Sequence, residues 1–223
     1  MNRRDLLVAS AAVTGAALTA RLQRRKYTRD FRPPSSRIVV LPADQYSNKL
    51  DQLVYEGIRL FNLNVRGKSV LLKPNLVEYI PGRPVNTDTQ LIGAAAEAFL
   101  RLGAASVTVA EGPGHHRDTE LLLHQTGLGD HLAHRKIRFV DLNRDELIKT
   151  KLQANYSGLG HVAMEGDGPL NGTARRLNTL VLSNDPVAAD ATCARALGVF
   201  PEQVAYILEG SLFLGRIDDH EIL

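Results

Sequence analysis

SVTVAEGPGHHRDTE, residues 106–120, passes from strand to turn to helix within one short stretch. Val107, Thr108, Val109 and Ala110 form an apolar, β-branched run, which predicts a strand. Gly112-Pro113-Gly114 breaks it, and Arg117 onward has the composition of a helix start. A strand that turns directly into a helix is the repeating unit of a parallel α/β sheet. Such sheets bind ligands where the strands end. At this turn stand Glu111, His115, His116, Arg117 and Asp118. Glu111 and His115 suit a general acid/base pair. With His116 they also make a starting set of ligands for a divalent metal. Successive side chains diverge, so one of the two histidines is a bystander. Gly112 and Gly114 let a ligand approach the backbone closely.

The same alternation extends in both directions. Residues 37–41 (RIVVL) predict a first strand. Residues 48–60 predict a helix with Leu50, Leu53, Val54 and Ile58 inward and Ser47 or Asn48 as cap. A second strand, 68–72, is stopped by Pro74, which leaves Lys73 and Asn75 at the carboxyl edge of the sheet as contacts for an anion or a carbonyl. A loop over 78–85 leads to a helix over 89–102, capped by Thr87 or Asp88 and closed by Gly103. A helix over 117–125 ends at Gly127, and a last turn spans 130–134. His131 and His134 read as exposed helix histidines rather than a metal pair. Residues 137–142 (IRFVDL) are the next strand, with Asp141 near its end. The glycine-rich stretch 162–172 lacks the Gly-Lys-Ser/Thr ending of a phosphate-binding loop, but Gly166 and Gly168 can present backbone N–H groups to an anion. Residues 179–182 form a last strand. Asn184-Asp185-Pro186 is a turn and cap with proline early in the helix 187–197, and a further helix covers 201–214. Asp185 and Asp190 complete the ligand-binding set. The expected fold is α/β: a doubly wound, mostly parallel open sheet with helices on both faces, Rossmann-like in outline.

Composition narrows the function classes. The chain has 223 residues, a formal charge of +3 and 5% aromatic residues without tryptophan. A nucleic-acid surface needs a basic face with interleaved aromatics, and none is present. A single cysteine, Cys193, excludes an intrachain disulfide and any iron–sulfur cluster or all-cysteine zinc site built by this chain alone. At the N-terminus, Arg3-Arg4 precedes an apolar run from Leu6 to Leu18. That pattern is a twin-arginine-type export signal over residues 1–20. It implies the twin-arginine machinery as a partner and a periplasmic protein, or one anchored by an uncleaved signal. Residues 21–36 are a basic linker ending in Pro33-Pro34-Ser35-Ser36, and membrane contact is expected only from this N-terminal segment. One α/β domain then spans 37–223, with its first βα units in 37–152 and the glycine-rich loop and last unit in 161–215.

Several segments together carry a resemblance: Lys73-Pro74-Asn75; Val85-Asn86-Thr87-Asp88 before a helix; Glu111-Gly112-Pro113-Gly114-His115; Phe139-Val140-Asp141-Leu142-Asn143; Met164-Glu165-Gly166-Asp167-Gly168-Pro169; and Asn184-Asp185-Pro186 through Cys193. In this order they resemble the bacterial and archaeal domain of unknown function 362. The resemblance implies an α/β fold and, in some members, an attached ferredoxin module whose cysteines are absent here. No settled reaction belongs to the family. Its members carry a long central block with a Pro-Lys-Leu-Lys-Thr-His stretch. Here the flanking segments nearly touch, at about residues 160–162. The expected function is therefore binding of a small anionic ligand or a metal at the carboxyl edge of the sheet. The alternative is a non-catalytic scaffold or remnant that lost activity with the central block.

Overall fold

The computed structural model describes residues 32–43, 49–114, 117–144, 164–165, 173–174, 177–218 and 220–223. In chain order these form β1 (Arg37–Pro42), α1 (Leu50–Arg59), β2 (Ser69–Leu72), α2 (Thr89–Arg101), β3 (Ser106–Glu111), α3 (Thr119–Thr126), α4 (Leu128–His134) and β4 (Arg138–Asp141). They continue through a short antiparallel pair, β5 (Met164–Glu165) with β6 (Thr173–Ala174), to β7 (Thr179–Ser183), α5 (Pro186–Ala196), α6 (Ala205–Gly210) and β8 (Glu221–Ile222). The expected α/β class, with a parallel sheet and helices around it, is what is seen.

The parallel sheet is β2-β3-β4, in sequential order. Crossovers between parallel strands share one hand, so strands added in one direction place their helices on one face. That is observed here: Ile92 and Ala96 of α2, Leu122 of α3 and Leu132 of α4 pack with Val107 and Val109 of β3. The alternate positions point the other way. There, among the described residues, Leu71 is 64% exposed, and Ser69, Ser106 and Arg138 are exposed as well.

The remaining long strands form a second sheet, β7-β1-β8, with β1 antiparallel to β7 and parallel to β8. Val39 and Leu41 share a face with Leu182 and Leu180 in this register. Helix α1 seats on that face at Gly57, where a Cβ would lie 2.5 Å from Leu182 Cδ1. A side chain there would have to push the ends of Leu182 and Leu41 aside. Leu50, Val54 and Ile58 of α1 join Ala94 and Ala98 of α2 in one apolar cluster with Leu180 and Leu182. Helices α1 and α2 therefore lie between the two sheets. Ile38, on the opposite face of β1, is also buried, whereas Val40 on that face is 43% exposed, so the second face is covered only near the start of the strand.

Local signals account for most element ends. Asp88 caps α2 by accepting from Gln90 N at 2.8 Å, and Gly103 follows with φ +95°. Thr87, the other expected cap, instead accepts from Asn75 N. Asp118 caps α3, which begins at Thr119 rather than Arg117. α1 follows Lys49 without a side-chain cap, and the expected caps Ser47 and Asn48 lie outside the described residues. The helix expected over 201–214 is instead a single 3-10 turn, Pro201–Gln203, followed by α6. Val204 stands between them in extended conformation, at φ −92° and ψ 106°.

Candidate functional site: the carboxyl edge of the parallel sheet

Glu111 is the last residue of β3 and is 6% exposed. Burying a carboxylate is costly unless it is paired and hydrogen-bonded. Both conditions hold. Its Oε1 accepts from Gly112 N at 2.8 Å, and its Oε2 accepts from Lys73 Nζ at 2.6 Å. Lys73 follows β2, and its side chain is 63% exposed. The lysine is thus paired at its charged tip with a buried acid while most of its side chain is exposed. The neighbouring strand ends β2 and β3 bring these two residues together, as their places in the sequence require.

The third strand tip is joined to the second. A Cβ on Gly112 would lie 2.8 Å from Asn143 Oδ1, so the glycine is needed for the close approach of the two turns. Asn143 Nδ2 donates to Pro113 O at 2.8 Å, and Asn143 N donates to Asp141 Oδ1 at 2.9 Å. Asp141 stands opposite Glu111 in the parallel register. Arg117 Nη2 bonds Glu78 Oε2 at 2.7 Å and so ties the loop after β2 to the turn after β3. An open cavity of about 460 Å³ lies beside the β4 tip and the start of α3, lined by Arg117, Asp118, Thr119, Asp141, Asn143 and Arg144; Lys73 and Glu111 are not part of its lining. Among the described residues Arg144 pairs at longer range, with Asp141 at 3.6 Å and Glu120 at 3.7 Å, and its side chain is 72% exposed. An arriving anion can exchange those long pairs for direct guanidinium contacts, whereas the short Lys73–Glu111 and Arg117–Glu78 pairs resist exchange; Lys73 can still donate its other two ammonium N–H groups to an anion while it keeps Glu111.

The other expected site residues are distributed as follows. Asn75 sits beside Lys73, but its amide donates to Val85 O at 3.3 Å and its backbone bonds Thr87 in both directions, so it staples the loop. Gly114 is exposed at the turn and accepts from Arg117 N. His115, His116, Gly166 and Gly168 lie outside the described residues. Asp185 and Asp190 belong to the β7–α5 turn and α5, on the other sheet. Asp185 is 0% exposed, and its carboxylate accepts three backbone N–H groups: Val187 at 2.9 Å, Ala188 at 3.1 Å and Arg216 at 2.9 Å. Among the described residues no group of three or more His, Cys, Asp or Glu is placed to hold a metal. A metal at Glu111 would have to displace Lys73 from it. Burial first, and the charge of Asp190 second, push the Cys193 thiol up, which disfavours the nucleophilic thiolate. Sequence reasoning did not single out Asn143 and Arg144 as part of the site. Their signal was position, just past the strand end that carries Asp141.

These features define an open α/β protein whose parallel strand tips gather a buried acid, a lysine and arginines at one edge. The strand order does not reverse within this sheet, so the site rests on converging tips rather than on a topological switch point. The family model described as Domain of unknown function (DUF362) matches residues 70–159 and 158–195, more than half of the chain. The chain belongs to that family. No curated protein and no solved structure matches it.

Proposed function

We propose that the protein binds a small anionic molecule at the carboxyl edge of β2-β3-β4, with Lys73 and Arg144 as its charged contacts. The observation that carries this reading is the 2.6 Å Lys73–Glu111 pair, in which a buried acid fixes an exposed lysine at the rim where three strand tips meet. Glu111 orients the lysine, and Gly112 lets the turn that carries Asn143 pack against the strand end. Should the chemistry involve a proton, Glu111 with His115 is the pair to carry it. A divalent metal on Glu111 and His115 or His116 is the variant of this reading that requires Lys73 to move. The Arg3-Arg4 signal would deliver the protein to the periplasm through the twin-arginine machinery, and the intact mass from a periplasmic extract tests that step.

The binding test is a thermal-shift panel of small phosphates and carboxylates on the wild type, Lys73→Met and Arg144→Gln. A ligand that stabilises the wild type should lose most of its effect in both variants. Equal stabilisation of all three proteins would refute the assignment. The second reading, a non-catalytic remnant, has its own support. The family match falls into two stretches that meet at residues 158–159, next to the point where the central block is missing from the sequence. Wild type that neither takes up metal on elemental analysis nor responds to any member of the panel would favour it.

A further inference from the structure

The Asn184-Asp185-Pro186 turn plays no part in the sheet-edge cluster, yet it organises a second region. Asn184 Nδ2 donates to Ser35 O at 2.8 Å, and Arg37 N donates to Asn184 Oδ1 at 2.8 Å. One side chain therefore grips the backbone on both sides of Ser36. Asp185 fixes the other half by accepting from Arg216 N at 2.9 Å, and Glu221 N donates to Ser36 O at 2.9 Å. These bonds assemble the wall of an open cavity of about 430 Å³, lined by Pro34, Ser35, Ser36, Arg216, His220 and Glu221.

Two polar atoms in that wall lack partners. Ser36 is 4% exposed, and its hydroxyl is buried without a hydrogen bond. Nδ1 of His220 is buried and equally without one. Buried polar groups are nearly always satisfied, and an unsatisfied one carries the full cost of losing its water. Two in a single cavity wall, beside a guanidinium, point to a ligand that supplies what they lack. The hydroxyl can donate, the imidazole can donate from Nδ1 in its Nδ1–H tautomer, and Arg216 donates, so an acceptor-rich, negatively charged group is one that can satisfy all three. Glu221 is exposed, where solvent screens its opposing charge.

We propose that this cavity binds a small oxyanion, the phosphate or carboxylate group of a small molecule, through Ser36, His220 and Arg216. The Asn184-Asp185-Pro186 turn serves as its frame, because it positions Ser36 from one side and Arg216 from the other.

The test is calorimetric titration of the full chain with inorganic phosphate and, separately, with acetate. Ser36→Ala removes an unpartnered hydroxyl, so the variant should fold with a urea midpoint no lower than the wild type. Loss of one hydrogen bond to an anion predicts an affinity about tenfold weaker for Ser36→Ala and for His220→Phe. The same titrations of Arg144→Gln remove the anion contact proposed at the sheet edge, so binding that persists there and is weakened by Ser36→Ala belongs to this cavity. Binding of either anion with this pattern supports the site, and the preferred probe tells phosphate from carboxylate chemistry. No saturable binding of either anion at millimolar concentration would overturn it, as would wild-type affinity in both Ser36→Ala and His220→Phe. If affinity falls in Arg144→Gln but not in Ser36→Ala, the anion sits at the strand tips. The second cavity is then not a site, while the sheet-edge reading stands.

Discussion

Replacing Asp185 by alanine should lower the unfolding free energy by about 3–5 kcal/mol, given a cost of roughly 1–3 kcal/mol for each buried donor left unpaired and partial relief by water entering the vacated volume. The figure follows from three backbone N–H groups, of Val187, Ala188 and Arg216, that all end on one fully buried carboxylate. A domain of ordinary stability has about 5–15 kcal/mol in total, so the variant would be marginal. Two further substitutions divide the effect. Asp185→Asn keeps one acceptor oxygen for the helix N-terminus but turns an NH₂ group toward Arg216 N–H, at a cost of about 1–3 kcal/mol. Asp185→Ser can still cap α5 but is too short to hold Arg216, and should fall in the same range. The assay is urea unfolding with the slope held common, so that a midpoint shift reports stability. If Asp185→Ala costs under about 1 kcal/mol, or if asparagine is as harmful as alanine, the three-donor clamp is not what the carboxylate does.

Further outcomes follow from the same geometry. Gly215→Ala would place a Cβ 1.9 Å from Asp185 Oδ1 and 2.7 Å from Val187 Cβ, so it should break the same clamp. Combined with Asp185→Ala it should cost far less than the two single losses added together, as a double-mutant cycle will measure. Lys73→Met strands the Glu111 carboxylate and should cost about 1–3 kcal/mol, short of a fully buried pair because the lysine is largely exposed; adding Glu111→Gln should recover part of it in the same urea assay. Gly93→Ala brings a Cβ to 2.3 Å from His131 Nε2 and should destabilise by about 1–3 kcal/mol, with relief when His131 is also made alanine. Burial first, and Arg135 second, hold His131 below its ordinary value of 6.5. As pH falls through that value the unfolded chain takes up the proton before the folded one. The stability that rests on neutral His131 is thus present above 6.5 and lost below it, and His131→Phe should flatten that part of a stability–pH curve.

What was legible in the sequence was whatever a few neighbouring residues determine. Asp88 and Asp185 could be read as helix starts because a carboxylate two or three residues ahead of a free N–H needs no distant partner; Asp118 caps its helix in the same way, but the expected start at Arg117 placed it inside the helix. Lys73 and Glu111 could be placed at one edge because strand–helix–strand connectivity sets their strands parallel, with both carboxyl ends on the same side. His134 is exposed as expected, but His131 is part-buried because Gly93, one helix away, has no side chain and leaves room for the ring. The division into two sheets left no local mark, since β1 pairs with β7 across most of the chain, Val39 opposite Leu182. A run such as RIVVL reads alike whether its neighbour is β2 or β7.

That division changes how the aspartates after β7 should be understood. In one continuous parallel sheet, Asp185 would have faced the crevice of Lys73 and Glu111. Because β7 runs antiparallel to β1 in a separate sheet, its carboxyl end instead meets the start of β1 and the start of the parallel strand β8. The chain segments that converge there are the approach to β1, through Ser35 and Ser36, and the approach to β8, through Arg216 and His220. A motif placed where three segments meet must first hold them together, which is why Asp185 spends its lone pairs on backbone groups. The unpartnered side chains, Ser36 and His220, lie on the segments that the turn holds. Recognition at this end of the molecule therefore falls to residues flanking the clamp rather than to the clamp itself.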